Sequence, residues 1–316
     1  MTLEKTFPAM GTLHTVTIFD AEDPGAAGDA RAYLMELNRA WTCFQTDSQI
    51  SRINRAAGRK AVSVDRDTLR VLQQAQRFQQ LTGGAFDVTV GPLADVWRRA
   101  IRQGQVPSDE AVWEALELVD GRDLTLDQPG RKAMLQKPGQ RIDLGGIAKG
   151  YAADGLRQRL RQRGVRRALL DLGGTVVTLG CRLPVGIRNP FRPGGAPLGT
   201  LMLDDSCVVT SGVYERFVCI EGRRYHHIVD PRTGFPAQSG IVSASLVGQD
   251  GTALDAMATA ALILGPEQSV PLLAALDMEA VFVTTHGQVF VTRGLKNIFR
   301  LSSKPNANIG AEQSVA

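Results

Sequence analysis

The chain has 316 residues, a length that can bury a large apolar core and that suits one elaborate domain or two closely packed ones. Its 43% hydrophobic and 22% charged content excludes a mainly disordered chain. The formal charge of +4 comes from scattered arginines. The one dense cluster, Arg157 to Arg167, is typical of a solvated helix face, although it could also attract a phosphorylated ligand. No aromatic residues are interleaved with the basic ones, so a nucleic-acid-binding motif is excluded.

Cysteine spacing and hydropathy exclude further classes of protein. Cys43, Cys181, Cys207 and Cys219 are too far apart for a C-x-x-C zinc site or a dense disulfide framework, so we interpret them as free, mostly buried thiols. The N-terminus lacks the pattern of a signal peptide, and no stretch of about 18 apolar residues occurs. These features predict a cytoplasmic protein with no membrane anchor in this chain, unless a leader was removed.

Apolar periodicity predicts the elements of the N-terminal third. Residues 12–19 alternate as in a half-buried strand. A stripe of large apolar side chains predicts a helix over 29–44, and a second, short helix follows it. A longer amphipathic helix is predicted over 66–81 and ends at Gly83-Gly84, because glycine readily adopts the left-handed conformation of a helix stop.

The next segment has a less regular pattern. Residues 83–92 predict a loop that enters a strand and then a turn, in which Asp87 could bind a ligand or merely cap the turn. Ser108, followed by two acidic residues, predicts a further helix, because a capping hydroxyl and first-turn acids stabilise a helix start. We interpret residues 95–140 as an insertion or a lid.

The C-terminal half is predicted to be rich in strands. Two hairpins are expected, one around Gly173-Gly174 and one around His286-Gly287. Further strands are expected at 199–203, 206–210, 216–220 and 241–247. The sheet is therefore mainly antiparallel or mixed, which favours an α+β fold over a doubly wound dinucleotide-binding fold. The polar residues 302–316 lack an apolar period and predict a flexible tail.

Three blocks rich in glycine and polar residues indicate a phosphate and metal site. The first, residues 142–151, is predicted to run from a short strand through paired glycines into a helix, whose unpaired N–H groups could face a diphosphate. The second, residues 225–236, has a histidine and an aspartate three residues apart before a Pro-Arg-Thr-Gly turn. The third, residues 250–262, places Asp255 and Thr259 on one helical face, where their oxygens could meet on one hard cation.

Seven motifs in a fixed order extend this pattern along the chain. They are Met10–Thr12, Asp47–Asn54, Thr82–Asp87, Asp143–Asp154, Thr210–Gly212, His227–Gly234 and Asp255–Thr259. With them, the chain closely resembles the ApbE family of FAD:protein FMN transferases over nearly all of residues 5 to 300. The resemblance implies an ApbE-like, T-fold-related α+β domain over residues 1–301, with mixed, mainly antiparallel sheets packed with helices.

The same resemblance implies the chemistry. Members of the family transfer the FMN half of FAD to a Thr or Ser hydroxyl of an acceptor flavoprotein and release AMP, with Mg²⁺ close to the diphosphate. By motif position, Asp255 and Thr259 would be metal ligands, together with a backbone carbonyl at or beside Ala148. This agrees with the residue types, because Mg²⁺ prefers a few oxygen ligands plus substrate phosphate and water.

Motif position also assigns the remaining site residues. His227 is interpreted as the catalytic base, since an imidazole titrates near neutrality and could accept the proton of the acceptor hydroxyl. His226 receives no catalytic role, and Asp230 could orient His227 or support the turn. Lys149 and Arg232 could contact phosphate, or serve only in an ion pair or a turn. The residues expected to contact FAD are Met10, Phe44, Ala85, Phe86, Asp87, Asp143, Lys149, Ser211 and Arg232.

Phe44 departs from the family pattern, which commonly has a tyrosine at this position. Its ring could still stack on the isoalloxazine, but the phenolic hydrogen bond is absent. Two alternatives therefore stay open, an FAD pyrophosphatase that yields FMN and AMP and a non-catalytic FAD-binding protein. A nicotinamide-dependent oxidoreductase is disfavoured, because no G-x-G-x-x-G motif lies in a strand-to-helix unit with an acidic residue downstream.

Overall fold

The structure is a computed structural model that describes residues 1–21, 25–302 and 313–315. Within these ranges, the α-helices are α1 Ala26–Trp41, α2 Gln49–Ala56, α3 Arg66–Leu81, α4 Gly91–Gln103, α5 Asp109–Leu116, α6 Ala148–Gln162, α7 Gly251–Leu264 and α8 Pro266–Ala274. The strands are β1 Leu3–Ala9, β2 Thr12–Ile18, β3 Val62–Ser63, β4 Leu124–Asp127, β5 Lys132–Leu135, β6 Ala168–Asp171, β7 Thr175–Leu179, β8 Arg182–Ile187, β9 Gly199–Asp204, β10 Cys207–Gly212, β11 Phe217–Ile220, β12 Arg223–His226, β13 Ile241–Gly248, β14 Glu279–Thr284, β15 Val289–Thr292, β16 Phe299–Leu301 and β17 Gln313–Val315. None of the described helices has the length and apolar character needed to cross a membrane.

The chain divides into two compact units. The first unit comprises Met1–Met35, Lys149–Gly212 and Ser239–Ala316, and the second comprises Glu36–Ala148 and Val213–Gln238. A single domain over residues 1–301 and an insertion or lid at 95–140 stay predictions. Most of the predicted tail lies outside the described residues, apart from Ser302 and the short strand β17.

The first unit is built on one large sheet. Its nine strands follow the order β1-β2-β6-β7-β10-β13-β14-β15-β17, and every neighbouring pair is antiparallel except β15 and β17. A second sheet of the same unit has the order β16-β9-β8. Helix α7 packs on β10 and β13, and β13 is buried along nearly its whole length, as expected for a central strand. The predicted α+β class with mainly antiparallel sheets is confirmed.

Edge position explains a strand that the sequence pattern did not predict. Strand β1 lies at one end of the nine-stranded sheet and carries Glu4, Lys5 and Pro8, which interrupt apolar alternation but are tolerated on an edge. It joins β2 through Met10 and Gly11, both with positive φ (47° and 76°). Such a two-residue turn matches the twist of a hairpin, so it fixes the register of β1 against β2.

In the second unit, helices α4 and α5 pack against each other at a small aromatic core. Trp97 of α4 is buried, stacks on Tyr225 with ring centroids 5.8 Å apart, and donates from Nε1 to the Gly234 carbonyl at 2.8 Å. Leu93, Val112 and the neighbouring apolar residues complete this core. These contacts fix the 230–236 turn against α4. The unit also contains the β3-β5-β4 sheet and the β11-β12 hairpin.

The predicted strands before the paired glycines, and between residues 83 and 92, are wrong. The structure has only an isolated bridge between Val90 and Arg141 there. The reason is that the Asn54 side chain takes the place of a strand partner for Ile142. Its Oδ1 accepts from the Ile142 N–H at 2.7 Å, and its Nδ2 donates to the Ile142 carbonyl at 3.1 Å. The backbone polar groups are satisfied without a ladder.

In the first unit, α6 and α7 cap each other's N-termini with carboxylates. Asp255 of α7 accepts from the Gly150 N–H of α6 at 2.9 Å. Asp154 of α6 accepts from the N–H groups of Gly251 (2.9 Å) and Thr252 (2.8 Å) of α7. Because the first four N–H groups of a helix have no partner within it, these bonds satisfy donors that would otherwise be buried unpaired. They require the two helix backbones to approach closely.

Gly150→Ala should destabilise the protein through a backbone clash. A Cβ atom at Gly150 would lie 2.0 Å from the Gly251 carbonyl oxygen, whereas a Cβ at Gly28 in α1 would lie 3.9 Å from the nearest atom, Lys5 Nζ. We expect a loss of about 2 to 3 kcal/mol in the free energy of unfolding, measured with urea. Gly28→Ala is the matched control and should be neutral or slightly stabilising. Equal effects of both substitutions would contradict the close approach of α6 and α7.

Candidate active site

The metal-ligand candidates of α7 meet the start of α6 and the end of β10 in the first unit. Asp255 is 2% exposed, and its Oδ1 lies 3.9 Å from Lys149 Nζ. Thr259, one turn further along α7, has its Oγ1 3.4 Å from Ser211 Oγ on β10 and 3.4 Å from the Asp255 carbonyl. Four predicted residues, Lys149, Ser211, Asp255 and Thr259, are therefore brought together.

This oxygen set suits a hard cation. Asp255 Oδ2 is used by the Gly150 N–H, while Oδ1 faces an ammonium beyond hydrogen-bonding distance. The Thr259 hydroxyl makes only long contacts, so its lone pairs remain available. No group of three or more His, Cys, Asp or Glu among the described residues could hold a metal alone. A carboxylate and hydroxyl oxygens are ligand types that a hard cation such as Mg²⁺ accepts.

The start of α6 adds features that suit an anion. Ala148 is the first residue of α6, and Lys149 follows it. The N-terminal end of a helix carries a partial positive charge, and the Lys149 ammonium adds a full one. Burial lowers the pKa of His14, which lies on β2, and the nearby Lys149 contributes to this shift. The helix N-terminus and the Lys149 ammonium together favour a negatively charged ligand.

Motif Thr82–Asp87 lies in the second unit and is largely buried. Ala85 and Phe86 are buried, and so is Asp87. Asp87 Oδ1 accepts from the backbone N–H (2.7 Å) and hydroxyl (2.6 Å) of Thr89, while Oδ2 accepts from the Gly121 N–H at 2.8 Å. Burial raises the pKa of this carboxyl. These contacts give Asp87 a structural role in the turn, and FAD contacts of the three residues stay predictions.

Motif His227–Gly234 forms the expected turn. The Asp230 carboxylate accepts from Arg232 Nε at 2.9 Å and from a terminal guanidinium nitrogen at 2.8 Å, and this pair raises the pKa of Arg232. Of the two roles considered for Asp230, these contacts favour support of the turn. Arg232 also lies beside Gly84, at which a Cβ would be 3.8 Å from the Arg232 side chain. His227 is half-buried, with Nδ1 3.2 Å from the Arg216 carbonyl.

Comparison with known proteins identifies the family. The ApbE family model matches residues 10–282. The chain belongs to the ApbE family. It is 36% identical over 260 residues to the FAD:protein FMN transferase of Klebsiella pneumoniae, which covers 82% of this chain and 80% of that protein. The FAD:protein FMN transferase of Treponema pallidum is 33% identical over 315 residues, covering 92% and 87%. The solved ApbE protein of Thermotoga maritima has a TM-score of 0.86 at 29% identity and covers 95% of this chain and 100% of that structure.

In this ApbE-family chain, the sequence did not reveal residues that hold other motif residues in place. Asn54 and Asp154 lie inside recognised motifs, but their hydrogen-bond partners are far away in sequence. Arg98 lies outside the motifs, yet a guanidinium nitrogen is 3.0 Å from the Asp143 carboxylate. Local spacing carries no signal for such partners, because they are set by tertiary packing.

The arginine cluster of α6 is largely neutralised within the first unit. Arg157, Arg161 and Arg166 pair with Asp154, Asp205 and Asp20, and Arg163 pairs with Asp29. A solvated face with ion pairs therefore describes the cluster better than an anion-binding surface does.

His226 should make stability depend on pH. Its Nε2 donates to the Ala237 carbonyl at 3.1 Å, and its Nδ1 is buried and makes no hydrogen bond with the residues that the structure describes. Burial lowers the pKa of His226 from 6.5 to about 4. The unfolded chain binds the proton more tightly, so this stabilisation is complete above pH 6.5 and is lost as pH falls towards 4. The loss attributable to His226 should approach about 3 kcal/mol.

The measurement is the free energy of unfolding at pH values between 7 and 4. His226→Gln keeps a donor for the Ala237 carbonyl and should flatten the profile, leaving the smaller contribution of His14, whose pKa is also lowered by burial. His286→Gln, at an exposed histidine, is the matched control. A profile that is the same for wild type and His226→Gln would show that His226 is not buried in its neutral form.

Proposed function

We propose that the chain is an FAD:protein FMN transferase that uses Mg²⁺ to move the FMN half of FAD to a Thr or Ser hydroxyl of an acceptor flavoprotein. AMP is the second product. The observation that carries the proposal is the buried Asp255 carboxylate beside Lys149 and the α6 N-terminus, with the Thr259 and Ser211 hydroxyls next to it. This set suits a cation and a diphosphate together.

The transfer step is a displacement at phosphorus. The acceptor oxygen forms a bond to the phosphorus of the FMN half, the bond from that phosphorus to the bridging oxygen breaks, and AMP leaves with the electron pair. The Lys149 ammonium and the partial positive charge of the α6 N-terminus would attract the negatively charged diphosphate. Asp255, Thr259 and the carbonyl at or beside Ala148 would hold Mg²⁺, which supplies positive charge to the diphosphate when bound.

His227 would accept the proton of the acceptor hydroxyl. A carbonyl can only accept a hydrogen bond, so the contact with Arg216 assigns the hydrogen to Nδ1. The lone pair is then on Nε2, the nitrogen that could act as the base. Asp230 would support the turn that follows His227, since its carboxylate oxygens bond to Arg232.

Phe44 favours a second candidate, an FAD pyrophosphatase in which water replaces the acceptor hydroxyl. The ring carries no phenolic group, and its side chain is highly exposed. The two reactions give different products, because only the transferase adds the mass of FMN to a protein. The cytoplasmic location and the identity of the acceptor rest on sequence expectations and stay predictions.

Removing the imidazole should separate binding from transfer. His227→Ala is expected to reduce the transfer rate by about 10²- to 10⁴-fold, the usual contribution of a general base, while the affinity for FAD changes little. The assay combines wild type or variant with FAD, Mg²⁺ and an acceptor domain, and follows the acceptor's intact mass and the release of AMP and FMN. His286→Ala is the control at an exposed histidine. An unchanged transfer rate of His227→Ala would show that His227 is not the catalytic base.

Changing the Asp255 carboxylate should weaken the binding of Mg²⁺. Asp255→Asn keeps an oxygen for the Gly150 N–H but removes the charge, so the Mg²⁺ concentration for half-maximal AMP release should rise at least about tenfold. Asp250→Asn is the matched control, because asparagine also caps a helix and Asp250 caps α7 at Ala253. Chelator should abolish AMP release by wild type. Equal Mg²⁺ requirements for the two variants would argue against Asp255 as a ligand.

A further inference from the structure

Phe44 is an exposed aromatic residue with a guanidinium above one face of its ring. It is 81% exposed, and the guanidinium carbon of Arg98 lies 5.8 Å from the centre of its ring. A guanidinium over a ring face is attracted by the π-electrons. Since Phe has no polar atom that could hold its ring by a hydrogen bond, the orientation of the ring depends on the group at this face.

Arg98 is itself fixed by acidic residues of the second unit. One guanidinium nitrogen lies 2.8 Å from Asp95 Oδ1, and another lies 3.0 Å from Asp143 Oδ2. The second oxygen of Asp95 pairs with Arg141 at 2.8 Å, which orients the Asp95 carboxylate. Two anchors on different nitrogens set the plane of a guanidinium, whereas a lysine ammonium has no plane to set.

The same guanidinium reaches the loop before α6. Asp143 Oδ1 accepts from the Gly145 N–H at 2.8 Å, and the Asp143 N–H donates to the Val88 carbonyl at 2.8 Å. Arg98 thus connects the Phe44 ring with a loop whose conformation is held by its own hydrogen bonds. The open face of Phe44 is therefore kept in a defined orientation.

We infer that Arg98 is a positioning residue for flavin binding, which holds the Phe44 ring so that its open face stacks on the isoalloxazine of FAD. The inference rests on the proposed function, because it takes FAD as the ligand. Arg98 acts through Phe44 and does not itself contact the substrate. It also supplies a reason why a phenylalanine can serve at this position, since the guanidinium restrains a ring that has no hydroxyl.

The test measures dissociation constants of FAD, FMN and ADP for four proteins: wild type, Arg98→Met, Phe44→Ala and the double variant. Arg98→Met should weaken FAD and FMN about fivefold, the size of one cation–π contact, and leave ADP unchanged because ADP has no isoalloxazine. In the Phe44→Ala background, the same substitution should have no further effect. Arg99→Met, at the next and exposed position of α4, is the matched control.

Arg98→Lys keeps the positive charge but removes the planar guanidinium, so it tests whether that plane matters. It also serves as a second variant in case Arg98→Met does not fold. It should also weaken FAD and FMN relative to ADP. Equal weakening of ADP, or additive effects of Arg98→Met and Phe44→Ala, would overturn the inference in favour of a purely structural role. If wild type and both Arg98 variants bind FAD equally well, the inference about Arg98 is wrong and the proposed function still stands. If wild type binds neither FAD nor FMN, the proposed function fails first.

Discussion

Reciprocal capping of α6 and α7 by Asp154 and Asp255 is the interaction on which the first unit's candidate site depends. Burying the Asp255 carboxylate, and half-burying that of Asp154, costs free energy unless hydrogen bonds and positive charge compensate. Here the compensation comes from the N–H groups of Gly150, Gly251 and Thr252 and from the partial positive charge of two helix N-termini. Because Asp255 uses one oxygen for this purpose, its other oxygen is held still beside Lys149. The hydrogen bond from the Gly150 N–H to Asp255 therefore also orients this candidate metal ligand.

The sequence predicts this site only as far as local geometry determines it. Asp255 and Thr259 are four residues apart, so a helix places them on one face whatever it packs against. The glycine at 150 can be recognised as part of a motif, but its need for a bare Cα arises from a carbonyl a hundred residues later in the chain. Asp154 likewise looks like an ordinary surface residue of an arginine-rich helix. Its burial and its raised pKa, caused by burial, follow from the packing of α7.

In the second unit, sequence reasoning failed where side chains replace backbone partners. An apolar run before Gly145 reads as a strand, but Asn54 supplies both hydrogen bonds that a strand partner would give Ile142. Asp87 shows the same limit. A carboxylate in a glycine-rich turn can face a ligand or the backbone, and only the position of Gly121 decides that its second oxygen faces inward. Helices α3 and α5 are predicted, because Asp65 and Ser108 cap their N-termini locally, whereas α4 is not predicted.

Each unit therefore sets its own limits on variation at the residues that we propose to bind FAD or metal. Around Gly150, backbone atoms touch backbone atoms, so a side chain there cannot be accommodated by a rotamer change. Around Phe44, the contacts between Arg98 and its partners are made by side chains: Arg98, Asp95 and Asp143 form a chain of charge pairs that can be rebuilt by substitution. The first-unit residues that we propose to hold phosphate and metal should consequently tolerate few changes. Orientation of the flavin ring should be the property that substitutions alter most readily, and with it the balance between transfer to a protein hydroxyl and transfer to water.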